Sequence, residues 1–470
     1  MIKIFNSLSG QKENLPDNRP LRLFVCGPTV YDVAHLGHAR TFIAFDSIVH
    51  YLKSQGIPVN YLQNITDVDD KIIKRAAETN IAPIALARRF EKEYHEDEKS
   101  LGIDSVSKYA RATDHIAEII KQIQTLVKKG NAYKIENEGY YFNISTFPEY
   151  GKLSKRTAEQ AEDATSRIDE GINKKNKGDF ALWKFPKIKI GKDQSGKSFA
   201  VIGGEPLWNT ELGWGRPGWH IEDTAITEHY FGPQYEIHGG AIELKFPHHE
   251  AEIAQQESAS GKNPMVKIWI HTGILLINGE KMSKSLGNFI TISDFLKKYP
   301  ANILRYIIAN HHYRSPINYT EQLAIEAQKN ISGINEFLTK ISLTKKGESP
   351  KLDIEKYEKS FSDAMEDDLN MPKAIASIFE LMNEINSNLS ELNKNDAKKA
   401  SGWIIKKLGL LKITVKKAQI PLKIRFLAWR RKLLRDNKHF AQSDLLRKKI
   451  EALGYSIEDT PLGTLVLPKI

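Results

Sequence analysis

A short motif with two histidines is the first group of residues whose types and spacing could do chemistry. His35-Leu36-Gly37-His38 opens a segment with helical spacing. At a helix start, unpaired backbone N–H groups and the helix dipole favour a phosphate, and Gly37 lets a phosphate chain approach closely. The two imidazoles could donate to phosphoryl oxygens as negative charge grows during a displacement at an α-phosphate. The alternative interpretation is two surface histidines at a helix start.

A lysine-rich pentapeptide could act on the same phosphate chain. The segment KMSKS, which contains Lys281 and Lys284, lies between Gly279 and Gly287. Two mobile ammonium groups on a glycine-hinged loop could follow a pyrophosphate as it leaves. An ordinary solvated basic loop is the alternative, but the order of the two motifs along the chain favours a shared catalytic role.

A third set of residues could hold a metal ion. Cys26 is the only cysteine in the sequence and lies where an apolar segment ends, while His248 and Glu252 are four residues apart. That spacing puts both side chains on one face of a helix. Thiolate, imidazole and carboxylate are typical zinc ligands. The alternative for a lone cysteine is a small, buried hydrophobic side chain.

The elements around these motifs predict a parallel sheet that positions them. Residues 21–26 (LRLFVC) and 59–66 (VNYLQNIT) read as buried strands, and the apolar residues of 45–52 fall at helical spacing between them. Strand, helix and strand in succession form a βαβ unit, which predicts parallel strands. Ligands of such sheets gather at the carboxyl ends of the strands, where Cys26 and Thr66 lie.

Composition narrows the class of protein and its compartment. The chain of 470 residues carries 68 Lys and Arg against 58 Asp and Glu, and this net charge of +10 suits a phosphate-rich partner. The first residues lack the apolar core of a signal peptide, and no later run is long enough to span a bilayer. A single cysteine permits no internal disulfide and fits a reducing compartment. We therefore expect a cytoplasmic protein with no membrane segment.

The motifs and the segments around them resemble one known family. HLGH and KMSKS resemble the two signatures of class I aminoacyl-tRNA synthetases. Nine segments along the chain are similar to cysteinyl-tRNA synthetases: CGPTVYDVAHLGHAR (26–40), NITDVDDKI (64–72), GRPGWHIED (215–223), EIHGG (236–240), FPHHEAEIAQ (246–255), KMSKSLGN (281–288), NHHYRSPINY (310–319), AMEDDLNMPKA (364–374) and IEDTPLGT (457–464). The resemblance covers essentially the whole chain.

This resemblance implies roles for the candidate residues. The catalytic residues would be His35, His38, Lys281 and Lys284. The ATP-binding residues would be Gly37, His38, Glu243 and Lys284, with Mg²⁺ accompanying the nucleotide. The residues that bind the amino acid would be Gly27, Thr66 and Trp219. One protein-bound Zn²⁺ would be held by Cys26, Asp223, His248 and Glu252.

A metal ion would explain how cysteine is distinguished from serine. The two amino acids differ by sulfur for oxygen, which an apolar pocket cannot reject strongly. Zinc binds and deprotonates a thiol readily, whereas a hydroxyl competes poorly for it. Direct ligation of the substrate would therefore turn a small difference in shape into a large chemical one.

Three positions depart from the family pattern. The family has a second cysteine where this chain has Asp223, and it has glycine and aspartate where this chain has Ala241 and Glu243. A carboxylate keeps the charge of a thiolate but removes a soft donor, so we expect Asp223 to ligate zinc and the ion to be held less tightly. The extra methylene of Glu243 should shift contacts on the adenosine side of the pocket.

The last part of the chain is strongly basic. Residues 423–449 contain ten Lys and Arg against two Asp. A solvated helix face is the usual interpretation of such a run, but the family resemblance implies an anticodon-binding domain. Aromatic residues can stack on unpaired bases, and carboxylates can accept hydrogen bonds from guanine. The matching positions are Arg435, Phe440, Asp444 and Asp459.

The predicted fold is α/β: a Rossmann-type parallel-sheet catalytic domain with an insertion, then a helical bundle and a small C-terminal anticodon-binding domain. The expected boundaries are 1–113 and 217–275 for the catalytic domain, 114–216 for the insertion, 276–325 for the KMSKS loop and stem-contact region, 326–412 for the bundle and 413–470 for the anticodon-binding domain.

The resemblance implies a monomeric enzyme that activates L-cysteine with ATP and esterifies it to the 3′-terminal adenosine of cysteine tRNA. Two alternatives stay open. One is a cysteine ligase of the mycothiol pathway, which joins cysteine to an amino-sugar and lacks the complete C-terminal region. The other is a catalytically silent, synthetase-like protein that binds RNA.

Overall fold

Two compact units make up the chain. The computed structural model describes residues 1–156, 173–186, 188–192, 198–202, 204–283, 286–344 and 352–469. One unit comprises Met1–Lys298 and Tyr313–Asn318, and the other comprises Tyr299–His312 and Tyr319–Ile470. The domain boundaries expected from the sequence are finer than this division and stay predictions.

The elements up to residue 319 include both strands and helices. In chain order they are β1 (Lys3–Asn6), β2 (Gln11–Asn14), β3 (Leu21–Val25), α1 (Leu36–Ser54), β4 (Val59–Ile65), α2 (Asp70–Thr79), α3 (Pro83–Leu101), β5 (Lys108–Arg111), α4 (Ile116–Lys128), β6 (Ala132–Ile135), β7 (Gly139–Phe142), β8 (Phe180–Lys184), β9 (Ile188–Lys192), β10 (Ser198–Ile202), β11 (Trp208–Thr210), β12 (Gly213–Pro217), α5 (Trp219–Phe231), β13 (Tyr235–Ala241), α6 (His248–Ser260), β14 (Val266–Thr272), β15 (Leu275–Ile277), β16 (Glu280–Lys281), α7 (Ile292–Lys298), α8 (Ala301–Ala309) and β17 (Ile317–Tyr319).

The later elements are mostly helical. They are α9 (Glu321–Ile341), α10 (Ile354–Glu366), α11 (Met371–Ser387), α12 (Lys394–Leu410), α13 (Leu422–Asp436), α14 (Phe440–Ala452), β18 (Tyr455–Thr460) and β19 (Gly463–Pro468).

A parallel sheet of five strands lies in the first unit, in the order β14-β13-β3-β4-β5. Each neighbouring pair runs parallel, as the βαβ pattern predicts. Numbered in chain order within this sheet, β3 is strand 1, β4 is 2, β5 is 3, β13 is 4 and β14 is 5. Read from β5 to β14, the order is therefore 3-2-1-4-5, which is that of a Rossmann-type sheet. The order reverses between β3 and β13, so the carboxyl ends of these two strands border a crevice. The predicted α/β fold is confirmed.

An antiparallel sheet of five strands follows, in the order β11-β12-β8-β7-β6. All of its strands come from the chain between β5 and α5, where the insertion was expected. Its apolar face packs with α4, α5 and α6 in one core, which includes Phe142, Trp183, Ile123, Ile221 and Ala254. Because α5 and α6 also border the crevice, this core holds them in place.

The second unit ends in a small domain of two helices and a hairpin. Strands β18 and β19 pair antiparallel. Ile424 and Leu427 of α13, Ile450 of α14, Ile457 of β18 and Val466 of β19 share one apolar core. The basic run at 423–449 therefore lies on two helices, and two antiparallel strands follow it. Among the described residues, no helix combines the length and apolar character needed to cross a bilayer.

Candidate active site and metal centre

A cavity of about 620 Å³ opens at the carboxyl ends of the parallel strands. It brings together most of the residues that the sequence analysis selected. Its lining includes Cys26, Gly27, His35, Gly37, His38, Thr66, Trp219, Asp223, Glu243, His248 and Lys281. Glu252 is fully buried beside Cys26 and His248. Lys284 lies outside the described residues.

The two histidines of HLGH form the start of α1. His35 is the N-cap residue, and its Nδ1 accepts the N–H of Gly37 at 3.0 Å. The Nδ1 of His38 accepts the N–H of His35 at 3.2 Å, and the two rings stack with centroids 3.9 Å apart. Since each Nδ1 accepts a backbone N–H, each neutral ring carries its proton on Nε2. Both imidazoles are therefore held as Nε2–H donors.

The protonation of His38 follows from its surroundings. Burial lowers the pKa of His38 well below its usual value, and the neighbouring His35 and Lys71 lower it further. His38 is therefore neutral at physiological pH. Gly37 is needed for this geometry, because a Cβ there would lie 2.8 Å from the His35 ring.

The KMSKS segment begins at the end of β16. Strands β16, β15 and β17 form a small sheet, and Lys281 is the last residue of β16. Lys281 pairs with Glu243 across the mouth of the cavity, and both side chains are well exposed. Asn288 accepts the N–H of Ser283 at 2.8 Å and so ties the described part of the loop to the residues beyond it. Glu243 therefore lies beside the loop lysine, a contact that the sequence did not predict.

The four predicted metal ligands converge. Their donor atoms all lie within 4.8 Å of one another, and all four residues are buried. The Nε2 of His248 is 2.9 Å from Asp223 Oδ2 and 3.1 Å from Glu252 Oε1, and Cys26 Sγ is 3.8 Å from Glu252 Oε1. His248 and Glu252 lie in the first turns of α6, as their spacing predicts, while Asp223 is on α5. Asp223 therefore occupies a position from which it can ligate an ion.

The electrostatics of this cluster fit a bound cation. Burial raises the pKa of the Cys26 thiol well above its usual value, and Glu252 and Asp223 raise it further. Burial and then Asp223 also raise the pKa of Glu252. The Oε2 atom of Glu252 is buried and makes no hydrogen bond within the described part of the chain. A divalent ion would stabilise all three anions together, and the donor set of sulfur, imidazole and carboxylate suits zinc.

Three histidines that the sequence analysis missed border the same cluster. Cys26 Sγ lies 3.1 Å from His249 Nε2 and 3.3 Å from His238 Nε2. His249 Nδ1 in turn lies 2.8 Å from His271 Nε2. Burial lowers the pKa of all three rings, that of His271 to about 3, so they are neutral. The histidines in EIHGG and FPHHE are the signal that could have found His238 and His249, whereas His271 lies in neither segment.

The predicted amino-acid subsite adjoins the metal cluster. The Gly27 N–H donates to Asn64 Oδ1 at 2.6 Å, and Asn64 Nδ2 donates to Asp223 Oδ1 at 2.5 Å. Thr66 donates its hydroxyl to Glu222, which is buried. The Trp219 ring stacks on His248 with centroids 4.3 Å apart. Asn64 and Glu222 were not predicted, and they orient the residues that were.

The predicted anticodon residues lie in the last small domain. Phe440 and Asp444 are exposed and one turn apart on α14. Arg435 Nε lies 3.4 Å from Asp459 Oδ2. Asp459 also accepts two hydrogen bonds from the buried Arg431, at 2.8 and 2.9 Å. Arg431 was not predicted, and it already engages both carboxylate oxygens of Asp459.

Comparisons with known proteins agree with this fold. The family described as "tRNA synthetases class I (C) catalytic domain" matches residues 13–330, and the "DALR domain" matches residues 360–411. A methionyl-tRNA synthetase from Mycobacterium tuberculosis, solved with methionyl-adenylate, superposes with a TM-score of 0.58 at 14% identity and covers 84% of this chain and 90% of that chain. The Agrobacterium radiobacter LeuRS–tRNA–LeuAMS complex gives a TM-score of 0.59 at 10% identity, over 85% and 84%. The fold and the site define a class I aminoacyl-tRNA synthetase.

Relatives with higher sequence identity show which family of class I synthetases the chain belongs to. The cysteine–tRNA ligase of Thermoplasma volcanium is 43% identical over 463 residues, which is 97% of each chain. That of Thermococcus onnurineus is 40% identical over 99% of this chain and 98% of its own, and that of Methanococcus maripaludis is 40% identical over the whole of both. The chain belongs to the cysteine–tRNA ligase family.

Proposed function

We propose that this enzyme activates L-cysteine with ATP to cysteinyl-adenylate and transfers the cysteinyl group to the 3′-terminal adenosine of cysteine tRNA. One observation carries the proposal. A buried cluster borders the same cavity as the N-terminus of α1 at His35, which is suited to bind phosphate. The cluster consists of Cys26, Asp223, His248 and Glu252. A thiol-selective centre and a nucleotide-binding centre thus share one space.

In the activation step, the substrate carboxylate attacks the α-phosphate of ATP and pyrophosphate leaves. The N-terminus of α1 faces the phosphate chain, and the Nε2–H groups of His35 and His38 donate to oxygens on which negative charge grows. Lys281 and Lys284 neutralise the negative charge of the departing pyrophosphate, and Mg²⁺ bound with ATP would supply further positive charge there. Glu243 releases Lys281 when the nucleotide enters, because the phosphate chain offers this lysine more negative charge.

Selection of cysteine rests on the cluster. The chemistry that zinc would supply there is direct ligation of the substrate thiol, for which a hydroxyl is a poor substitute. Thr66 and the backbone at Gly27 position the amino acid beside it. Trp219, stacked on His248, closes the apolar side of the subsite.

Transfer requires cysteine tRNA. Arg435, Phe440, Asp444 and Asp459 would contact its anticodon from the last domain. We also propose that the enzyme works as a monomer in the cytoplasm. Its single, buried thiol fits a reducing compartment, and analytical ultracentrifugation tests the oligomeric state.

The test is ATP–pyrophosphate exchange with cysteine or serine, followed by aminoacylation of a tRNA that carries the anticodon GCA. We expect exchange with cysteine only, and charging of that tRNA. His38→Asn should slow exchange on the order of 10²–10³-fold, whereas His50→Asn on the same helix, outside the cavity lining, should not. Amide formation with an amino-sugar in the absence of tRNA would support the mycothiol-type ligase, and absence of exchange would support a silent RNA-binding protein.

A further inference from the structure

The outer face of α13 carries a row of large apolar side chains. Leu422, Phe426, Trp429 and Leu433 are 79%, 56%, 56% and 41% exposed. The rings of Phe426 and Trp429 contact each other, with centroids 5.7 Å apart. The row extends over about 16 Å of helix at 1.5 Å per residue. A contiguous apolar surface of this kind on a folded protein marks an interaction site.

The spacing of the row is that of a helix-pairing seam. The intervals are four, three and four residues, which place Phe426 and Leu433 at a positions and Leu422 and Trp429 at d positions of a heptad. The opposite side of α13 packs into the small domain, where its buried residues are Ile424, Leu427, Ala428 and Arg431. The seam therefore faces away from the domain.

The charges beside the seam have one sign. The e positions are Lys423 and Arg430, and the g positions are Arg425 and Lys432. All four residues are exposed, and Lys432 pairs with Asp436 within α13. Charges at e and g decide which helices pair, since like charges across a seam repel and opposite charges attract.

We propose that this face of α13 docks an acidic amphipathic helix of another protein, with apolar residues at a and d and Glu or Asp at e and g. Helix-in-groove recognition uses anchors at these spacings, and Phe426 and Trp429 are the central anchors. A second copy of this chain does not fit, because its e and g residues are equally basic.

RNA fits this face less well than a helix does. Leucines at both ends of the row offer no base-stacking surface. Arg435 follows Leu433 by two residues, or about 200° around the helix, and contacts Asp459. Arg435, which is proposed to contact the anticodon, therefore projects away from the seam.

The experiment titrates the full-length protein into two fluorescein-labelled synthetic peptides and follows fluorescence anisotropy. Both peptides have three heptads with Leu at a and d; one carries Glu at e and g, and the other carries Lys. Four proteins are compared: wild type, Phe426→Ser/Trp429→Ser, Arg425→Glu/Arg430→Glu, and Lys448→Glu/Lys449→Glu as a matched control on the exposed surface of α14.

We expect wild type and the α14 control to bind the acidic peptide and not the basic one. Phe426→Ser/Trp429→Ser should weaken this binding at least about tenfold. The charge reversal on α13 should weaken binding of the acidic peptide and create binding of the basic peptide. Circular dichroism and unchanged ATP–pyrophosphate exchange establish that the variants are folded.

Three results would overturn the proposal. One is that neither peptide binds, or that both bind equally to wild type. Another is that a single-stranded RNA oligonucleotide displaces the peptide and loses affinity in Phe426→Ser/Trp429→Ser, which would assign the face to RNA. The third is self-association of wild type, in sedimentation experiments, that the same variant abolishes.

Discussion

Replacing Asp223 tests the proposed metal centre directly, because its carboxylate stands where the family resemblance implies a thiolate. Asp223 is 1% exposed, and its two oxygens lie 2.9 Å from His248 Nε2 and 2.5 Å from Asn64 Nδ2. Asp223→Asn keeps the size of the side chain and removes its charge. Breaking a buried charge pair costs about 3–5 kcal/mol. At about 1.4 kcal/mol per tenfold, zinc should bind roughly 10²- to 4 × 10³-fold more weakly.

The assay measures metal rather than activity. Zinc content is determined after dialysis, and the dissociation constant comes from competition with a chromophoric chelator. Asp223→Cys restores a −1 ligand and adds a second sulfur, so it should hold zinc at least as tightly as wild type. With Co²⁺ in the site, it should also strengthen the thiolate-to-cobalt absorption that Cys26 alone provides.

The control is Asp46→Asn, which changes another buried carboxylate. Asp46 accepts the N–H groups of Asp104 and Ser105, away from the cavity lining. This variant should retain zinc. A full complement of zinc in Asp223→Asn, with a dissociation constant within about threefold of wild type, would contradict this role of Asp223. Asp223 would then border the ion without holding it.

Three further substitutions test other parts of the site. Lys284→Ala should slow ATP–pyrophosphate exchange on the order of 10²–10³-fold with little change in cysteine binding, because its charge acts on the departing pyrophosphate. Gly37→Ala should raise the KM for ATP in the same assay, because the new Cβ displaces the His35 ring from its capping position. Asp459→Ala should lower the free energy of unfolding by about 1–3 kcal/mol in a urea titration at pH 7, because it leaves the buried Arg431 without its carboxylate partner. The loss is smaller than for a fully buried ion pair because the Asp459 side chain is 41% exposed.

Each of these expectations has an outcome that contradicts it. Near-normal exchange in Lys284→Ala would remove that lysine from the mechanism, and an unchanged KM in Gly37→Ala would show that the helix start tolerates a side chain. For Asp459, Arg431 holds the pKa below its usual value. The stabilisation is therefore present above the unfolded pKa and is lost as the pH falls through the folded one. A difference between Asp459→Ala and wild type that persisted below that pH would point to another cause.

Local sequence patterns predicted the parts of the site that depend on local structure. The apolar run at 21–25 formed β3, and HLGH formed a capped helix start with both histidines in place. His248 and Glu252 share a helical face because four residues are only slightly more than one helical turn. These features follow from periodicity and capping, which act over a few residues.

The missed residues depend instead on how elements far apart in the sequence pack together. His238 reaches Cys26 because β13 pairs with β3, although 212 residues separate the two side chains. His249 was one residue from a predicted ligand, but a neighbouring helix position points about 100° away. Its approach to Cys26 follows from where α6 lies against the sheet. The sequence does not distinguish Arg431 from the other basic residues around it, because its burial depends on how α13 packs on the hairpin.

The distance along the chain between the metal donors has a consequence for biosynthesis. Cys26 and Glu252 are 226 residues apart. At a synthesis rate of about 5–20 residues per second, on the order of 10–45 s pass between the two on the ribosome. During that interval Cys26 lacks the helices α5 and α6 that bury it, and the nascent chain carries an unprotected thiol. Capture of a metal ion by the proposed ligands would therefore be a late event that waits until α6 has emerged, and Cys26, the only cysteine in the sequence, is open to oxidation until then.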